Sequence, residues 1–154
     1  MQKILRLPEA ALVEDTAGEL VSQTDYLQDP ARHAGDHPIG VRVAPADKVE
    51  ELSPHLGQVA LVAIEFPGPG EGRGYTYARL LRQRYGFQGE IRAVGPGVKQ
   101  DLLFFMFRCG FDAFQLADHE NLAEARAALH RFTLAYQPAI PRAAVREARF
   151  TAAG

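Results

Sequence analysis

The chain has 154 residues, 23% of them charged, and a formal net charge of -2, so it lacks the basic excess that phosphate-backbone binding needs and nucleic acid is not an expected partner. No stretch reaches the apolar length of a membrane span, and Lys3 and Arg6 are not followed by a leader-length apolar core, so no membrane association and a cytoplasmic location are expected. Cys109 is the single cysteine, which excludes an internal disulfide and agrees with a reducing compartment.

Residues 1 to 38 are the hardest to read. Lys3 to Leu7 and Ala11 to Asp15 fit two short strands at a sheet edge, and Tyr26 to Pro38 reads as loop. Ile39 to Ala44 and Asp47 to Leu56 then form a weak strand-helix unit. Val59 to Phe66 has seven apolar residues in eight and no alternation, as expected for a central strand covered on both faces. Behind it, Ala78, Leu81 and Tyr85 recur at helical spacing, and Gly86 supplies the stop. The next unit has Glu90 to Val94 as strand, Val98 to Cys109 as helix and Gly110 as cap. A last one has Asp112 to Leu116 as strand and Asn121 to Phe132 as helix, with Leu122, Ala125, Leu129 and Phe132 on one face.

Four strand-helix units at about 25-residue spacing predict an α/β fold with a mainly parallel sheet. The chain is too short for an eight-unit barrel, which takes about 250 residues. A doubly wound sheet with helices on both faces is the first expectation; a half-barrel completed by a second subunit is the alternative. Residues 1–140 are expected to form one domain, with 1–38 as an N-terminal extension. Residues 141–154 read as an alanine-rich tail that packs loosely or frays.

Two glycine-rich turns, Gly68-Pro69-Gly70-Glu71-Gly72-Arg73-Gly74 and Gly95-Pro96-Gly97, each follow a strand and precede a helix. In a parallel sheet such loops emerge at one edge, so both should line one crevice and aim helix N-termini into it. Residues 71 to 110 carry seven basic against three acidic side chains, a local +4 that leaves -6 for the remainder. Arg79, Arg82 and Arg84 fit a solvated helix face. Arg73 lies within the first turn, and Arg92 lies inside a strand, where a charge needs a partner or an aqueous cleft. The candidate anion site is therefore Gly72, Arg73, Gly74, Arg92, Gly95 and Gly97, with Glu65, Glu71 and Asp101 as candidate acids. The competing reading is an ion pair of Glu65 with Arg92 or with Arg73 and no ligand.

Neither familiar glycine motif is satisfied. The phosphate loop requires Lys-Ser/Thr after its second glycine, where this chain has Arg73-Gly74-Tyr75-Thr76. The dinucleotide pattern starting at Gly68 requires glycine at position 73, which is arginine. The remaining features are generic: peptide N–H groups, a helix dipole worth about 0.3–1 kcal/mol to an anion, and a guanidinium that binds two oxygens at once.

The ordered blocks Phe66-Pro67, Glu71-Gly72-Arg73-Gly74-Tyr75-Thr76, Ala78-Arg79-Leu80-Leu81-Arg82, Gly89-Glu90-Ile91-Arg92-Ala93-Val94-Gly95 and Arg108-Cys109-Gly110-Phe111-Asp112-Ala113-Phe114 resemble the bacterial family called domain of unknown function 934. The resemblance spans residues 39 to 137, closing on Tyr136-Gln137-Pro138. Members are commonly encoded beside genes of assimilatory sulfate and sulfite reduction and are often labelled probable oxidoreductases of sulfite reduction, so the resemblance implies a pathway and leaves the reaction open. This chain departs from the family in its turns. Glu71 stands where Asp-Gly-Arg-Gly is usual, Gly95-Pro96 where Gly-Asp is usual, and Gln100-Asp101 reverses the usual acid-amide order.

Other chemistry-bearing residues carry less. His33 and His37, with Asp36 between them, resemble half a metal site, but loop context empties helical spacing of meaning, and no metal is expected. Cys109 ends a helix, where the dipole disfavours thiolate, and fits a buried structural thiol. Nothing supplies haem ligation or a cysteine cluster, so the cofactor is unknown. Leu102 to Phe107 is apolar all round, too much for a helix with one face on a sheet and the other in water. A subunit or partner contact is expected to cover it, ahead of the N-terminal segment or the tail.

Two functions are compatible with these features. One is an accessory protein of sulfite reduction, docking as a homo-oligomer or on a sulfite-reduction partner through the Leu102 to Phe107 helix, with a small anion or phosphorylated ligand at the turns. The alternative is a small flavin- or nicotinamide-dependent oxidoreductase using the same crevice. No catalytic residue is named.

Overall fold

The computed structural model describes residues 3–7, 10–14, 20–35, 37–68, 70–117 and 120–135. Seven strands, β1 (Lys3–Arg6), β2 (Ala11–Glu14), β3 (Leu20–Ser22), β4 (Ile39–Val43), β5 (Val59–Glu65), β6 (Glu90–Val94) and β7 (Ala113–Gln115), form one open sheet in the order β2-β1-β7-β6-β5-β4-β3. From β3 to β7 every neighbouring pair is parallel. The hairpin β1–β2 adds antiparallel to β7, which places the N-terminal strands at a sheet edge as expected.

The α/β class, the mainly parallel sheet and the four units are as expected. The winding is one-directional, each crossover stepping one strand the same way, so right-handed connections put successive helices on one face. Burial agrees. Val62, Ile64, Ile91, Ala93 and Phe114 share one apolar cluster with Ala78, Leu81, Leu103, Met106, Ala125 and Leu129 of the helices. Leu61, Ala63 and Ala113, which alternate with them, are buried but stand outside that cluster. Among the described residues the helices thus gather on one face, the winding of the half-barrel alternative, in a sheet that stays open.

Three local differences have physical reasons. A short helix α1 (Gln23–Gln28) stands at the start of the expected loop; the Ser22 hydroxyl caps it by accepting the Asp25 N–H at 3.1 Å, a start signal visible in the sequence. The weak unit after β4 is a 3-10 helix, Val49–Gln58, interrupted by Pro54, whose missing N–H is incompatible with a regular α-helical interior. Helix α2 (Arg73–Arg79) runs into a π-helical turn, Leu80–Arg84, before Gly86 ends it at φ 63°.

The apolar stretch before Cys109 also resolves. It forms a 3-10 turn, Gln100–Leu102, and then helix α3 (Leu103–Cys109), closed by Gly110 at φ 117°. Helix α3 packs against α2 on one side and against α4 (Leu122–Ala135) on the other. Leu103, Met106, Phe107 and Cys109 are buried, and Phe105 alone of this run stays 50% exposed. The flanking helices therefore supply most of the cover expected of a subunit or partner. The tail at residues 141–154 lies outside the described residues.

Candidate functional site

At the carboxy-terminal rim of the sheet the two glycine turns meet. The Phe66 N–H donates to the Val94 carbonyl at 2.8 Å, and the Gly97 N–H donates to the Phe66 carbonyl at 2.8 Å. A Cβ on Gly97 would lie 2.5 Å from the Gly68 oxygen, and one on Gly95 2.6 Å from the Phe66 oxygen, with Gly95 at φ 103°. These glycines let one turn close on the other. Gly74 is equally confined, its hypothetical Cβ 2.4 Å from the Phe66 ring, whereas Gly72 faces open space.

Both helix starts at this rim hold a carboxylate of the chain itself. Gly72 offers α2 no side-chain cap, and the Arg73 N–H donates to Glu71 Oε1 at 3.1 Å. At the second turn the Gln100 N–H donates to Glu120 Oε2 at 3.3 Å, with Lys99 Nζ 3.5 Å from the other Glu120 oxygen. An acid at a helix start offsets the positive end of the dipole. Sequence reasoning misses Glu120 because it lies 20 residues beyond the turn it caps. Asp101 is exposed and lines a hollow of about 380 Å3 between α3 and α4, with Gln100, Phe104 and Leu129.

Arg73 presents its guanidinium to solvent at this rim. Its side chain is 63% exposed, with a loose ion pair to Glu71 at 3.9 Å. Nη1 donates to the Pro45 carbonyl at 3.1 Å in the loop after β4. The Tyr77 hydroxyl steadies that loop, 2.8 Å from the Pro45 oxygen and 2.7 Å from that of Asp47. Burial raises the Tyr77 phenol above its ordinary value; the Arg73 charge lowers it, and the acids Glu50, Asp47 and Glu71 raise it. Beside Arg73, Tyr75 packs between Phe66, tilted at 5.2 Å, and Phe105, edge-on at 4.9 Å, and its phenol is likewise raised, first by burial.

Arg92 and Glu65 belong elsewhere. Register aligns Arg6, Ala113, Arg92, Ala63 and Arg42 in one row across five strands, on the face opposite the helices. Arg92 is 1% exposed, and its Nε and Nη2 each lie 2.8 Å from Glu90 Oε1, while Arg6 Nε lies 3.0 Å from Glu90 Oε2. Glu65 pairs with Arg42 at 3.5 Å. Arg92 therefore turns away from the rim, and the counter-ions differ from both expected pairings. The period of two along a strand, which puts Glu90 and Arg92 on one side, is the signal that identifies the right partner.

Arg82 corrects a second reading. Instead of a solvated face it occupies a nearly closed site, its side chain 7% exposed against 3% for Asp112. Nη1 donates to the carbonyls of Phe87 and Gly89, both at 2.8 Å, Nε to that of Gly110 at 3.2 Å, and Nη2 to Asp112 Oδ2 at 3.1 Å. Asp112 Oδ1 accepts the Ile91 N–H at 2.7 Å. Burial lowers the Arg82 guanidinium from its ordinary value, and the Asp112 charge and hydrogen bond oppose that shift. This clasp ties the end of the α2 segment to the starts of β6 and β7.

Cys109 is fully buried and forms no disulfide, as a structural thiol should. Among the described residues no helix is long and apolar enough to cross a membrane. The rim thus offers one exposed guanidinium beside an open glycine and an aromatic pair, a set suited to holding an anion. A family model described as "Bacterial protein of unknown function (DUF934)" matches residues 40–145. No curated protein matches the chain. The chain belongs to that bacterial family of unknown function.

Proposed function

We propose that this DUF934 protein is an accessory protein of assimilatory sulfite reduction that holds a small oxyanion, sulfite or phosphate, on Arg73 at the carboxy-terminal rim. The link to the pathway rests on the resemblance of residues 39 to 137 to proteins encoded beside sulfite-reduction genes. The observation that supports the anion is the state of Arg73: its guanidinium is exposed, its orientation is fixed by the Pro45 carbonyl, and its only carboxylate neighbour among the described residues sits at 3.9 Å. An oxyanion on its Nε–Nη2 edge would form the two-point contact that Glu71 does not make. Gly72, with open space in front of it, lets the anion approach the backbone.

Gly95, Gly97 and Gly74 enter this reading as packing residues that shape the rim. Arg92 has no part in it. Titration calorimetry with sodium sulfite and sodium phosphate tests the reading. Saturable binding that weakens about tenfold or more in Arg73→Ala, with the melting temperature unchanged, is the expected result. Equal affinity in the variant would overturn it. Visible absorbance released on denaturing the purified protein would instead support the flavin-dependent oxidoreductase.

A further inference from the structure

The carboxylate of Glu71 stands beside the Arg73 guanidinium, and its place is fixed. The Glu71 N–H donates to the Gly68 carbonyl at 3.2 Å, Oε1 accepts the Arg73 N–H at 3.1 Å, and the same oxygen lies 3.9 Å from Arg73 Nε. Among the described residues Glu71 Oε2 accepts no hydrogen bond. On the far side of the guanidinium, Nη1 is committed to the Pro45 carbonyl, whose oxygen also lies 2.8 Å from the Tyr77 hydroxyl. That leaves Nε and Nη2 to a ligand, on the side where Glu71 stands.

An oxyanion on that edge would hold an oxygen about 2.8 Å from Nε, and would share the space around Nε with Glu71 Oε1 at 3.9 Å. An ionised carboxylate only accepts hydrogen bonds. Facing a fully deprotonated oxyanion it has nothing to accept, and two like charges repel at close range. Facing an oxyanion that still carries an acidic O–H, it gains a charge-assisted hydrogen bond. The surrounding field acts in the same direction. Glu50, Asp47 and Glu71 all raise the Tyr77 phenol, and Arg73 alone among the charges acting on it lowers it, so acids outnumber the cation around this loop. Asp47 is engaged elsewhere, its Oδ2 accepting the Ala44 N–H at 2.7 Å, which leaves Glu71 as the acid at the ligand.

We propose that Glu71 sets the specificity of the Arg73 site, selecting an oxyanion that bears an acidic O–H, of which hydrogenphosphate is the simplest, over sulfate, which has the same shape and charge but no proton. The proposal rests on the anion reading of Arg73 given above. A site that pairs with a ligand O–H rejects the analogue lacking it, because the acceptor is then set unpaired against a negative oxygen. Gly72 admits both anions alike, with nothing within 4 Å of its hypothetical Cβ, so the discrimination comes from the proton and not from size.

The test is titration calorimetry of the full chain with sodium phosphate and, separately, sodium sulfate at about pH 8, where both anions are mainly dianions and only phosphate keeps a proton. The parent is expected to bind phosphate about tenfold or more tightly than sulfate. Glu71→Gln keeps an oxygen for the Arg73 N–H and adds an amide donor, so it is expected to melt with the parent, to bind sulfate more tightly than the parent does and to narrow the ratio between the anions. Equal parental affinities, or a preference for sulfate, would overturn the proposal and leave the anion reading of Arg73 in place; this comparison needs no variant. An unchanged ratio in Glu71→Gln would overturn it too, since the preference would then arise elsewhere. Absence of saturable binding of either anion to the parent would overturn both this proposal and the reading it rests on.

Discussion

The Gly97 N–H donates to the Phe66 carbonyl at 2.8 Å, and this backbone contact joins the turn after β6 to the turn after β5. The space around it decides which glycines are replaceable. A methyl at position 97 would meet the Gly68 and Phe66 oxygens at 2.5 and 2.9 Å, and both belong to backbone that has little room to give. Gly97→Ala is expected to lose about 1–3 kcal/mol. Gly72→Ala, facing open space, is expected to stay within about 0.5 kcal/mol of the parent. Urea unfolding followed by circular dichroism measures both. Equal losses in the two variants would mean that the turns are not locked as described.

Arg82 and Asp112 carry the second expectation. Removing one member of a buried, hydrogen-bonded pair costs about 3–5 kcal/mol, because the other charge stays behind in a closed site. Arg82→Ala also frees the carbonyls of Phe87, Gly89 and Gly110. It is expected to lose that amount, and Arg84→Ala, on the exposed side, under about 0.5 kcal/mol. Similar unfolding midpoints for the two variants would contradict the clasp.

Tyr26 supplies the third. It is fully buried, and among the described residues its hydroxyl has no hydrogen-bond partner, a state that costs about 1–3 kcal/mol. Tyr26→Phe removes the orphaned group and keeps the ring, so a gain of about 1 kcal/mol is expected. The same burial raises the Tyr26 phenol above its ordinary value, as it does those of Tyr75 and Tyr77. The unfolded chain ionises these groups from about pH 10 upward, while the folded chain holds their protons longer. Stability is therefore present below that pH and falls as pH rises through and beyond it. Thermal melts from about pH 8 to 11 should show that fall, with a shallower slope in Tyr26→Phe; a variant less stable than the parent at about pH 8 would contradict the orphaned hydroxyl.

The features legible in the sequence are those that periodicity encodes. The unbroken apolar run of β5 identifies a strand buried on both faces, and Gly86 and Gly110 mark helix ends that do adopt positive φ. The meeting of the two turns is a consequence of parallel topology alone. Periodicity in fact puts Arg82 four residues after Ala78, on the buried face with Leu81; its charge, and not its spacing, is what suggests a solvated side chain. Arg92 is easily given the wrong neighbour, since Glu65 stands out on the adjacent strand while Glu90 lies two residues away on the same side. Glu120 depends on long-range placement, which no local pattern carries.

The central claim is that the ligand sits on Arg73 at the rim where the two turns touch. Amide chemical-shift mapping during a phosphate titration tests it most directly. Saturable shifts concentrated at Glu71, Gly72, Arg73 and Gly74, abolished in Arg73→Ala, are the expected result. Shifts that cluster away from the first turn, or that persist unchanged in the variant, would contradict it.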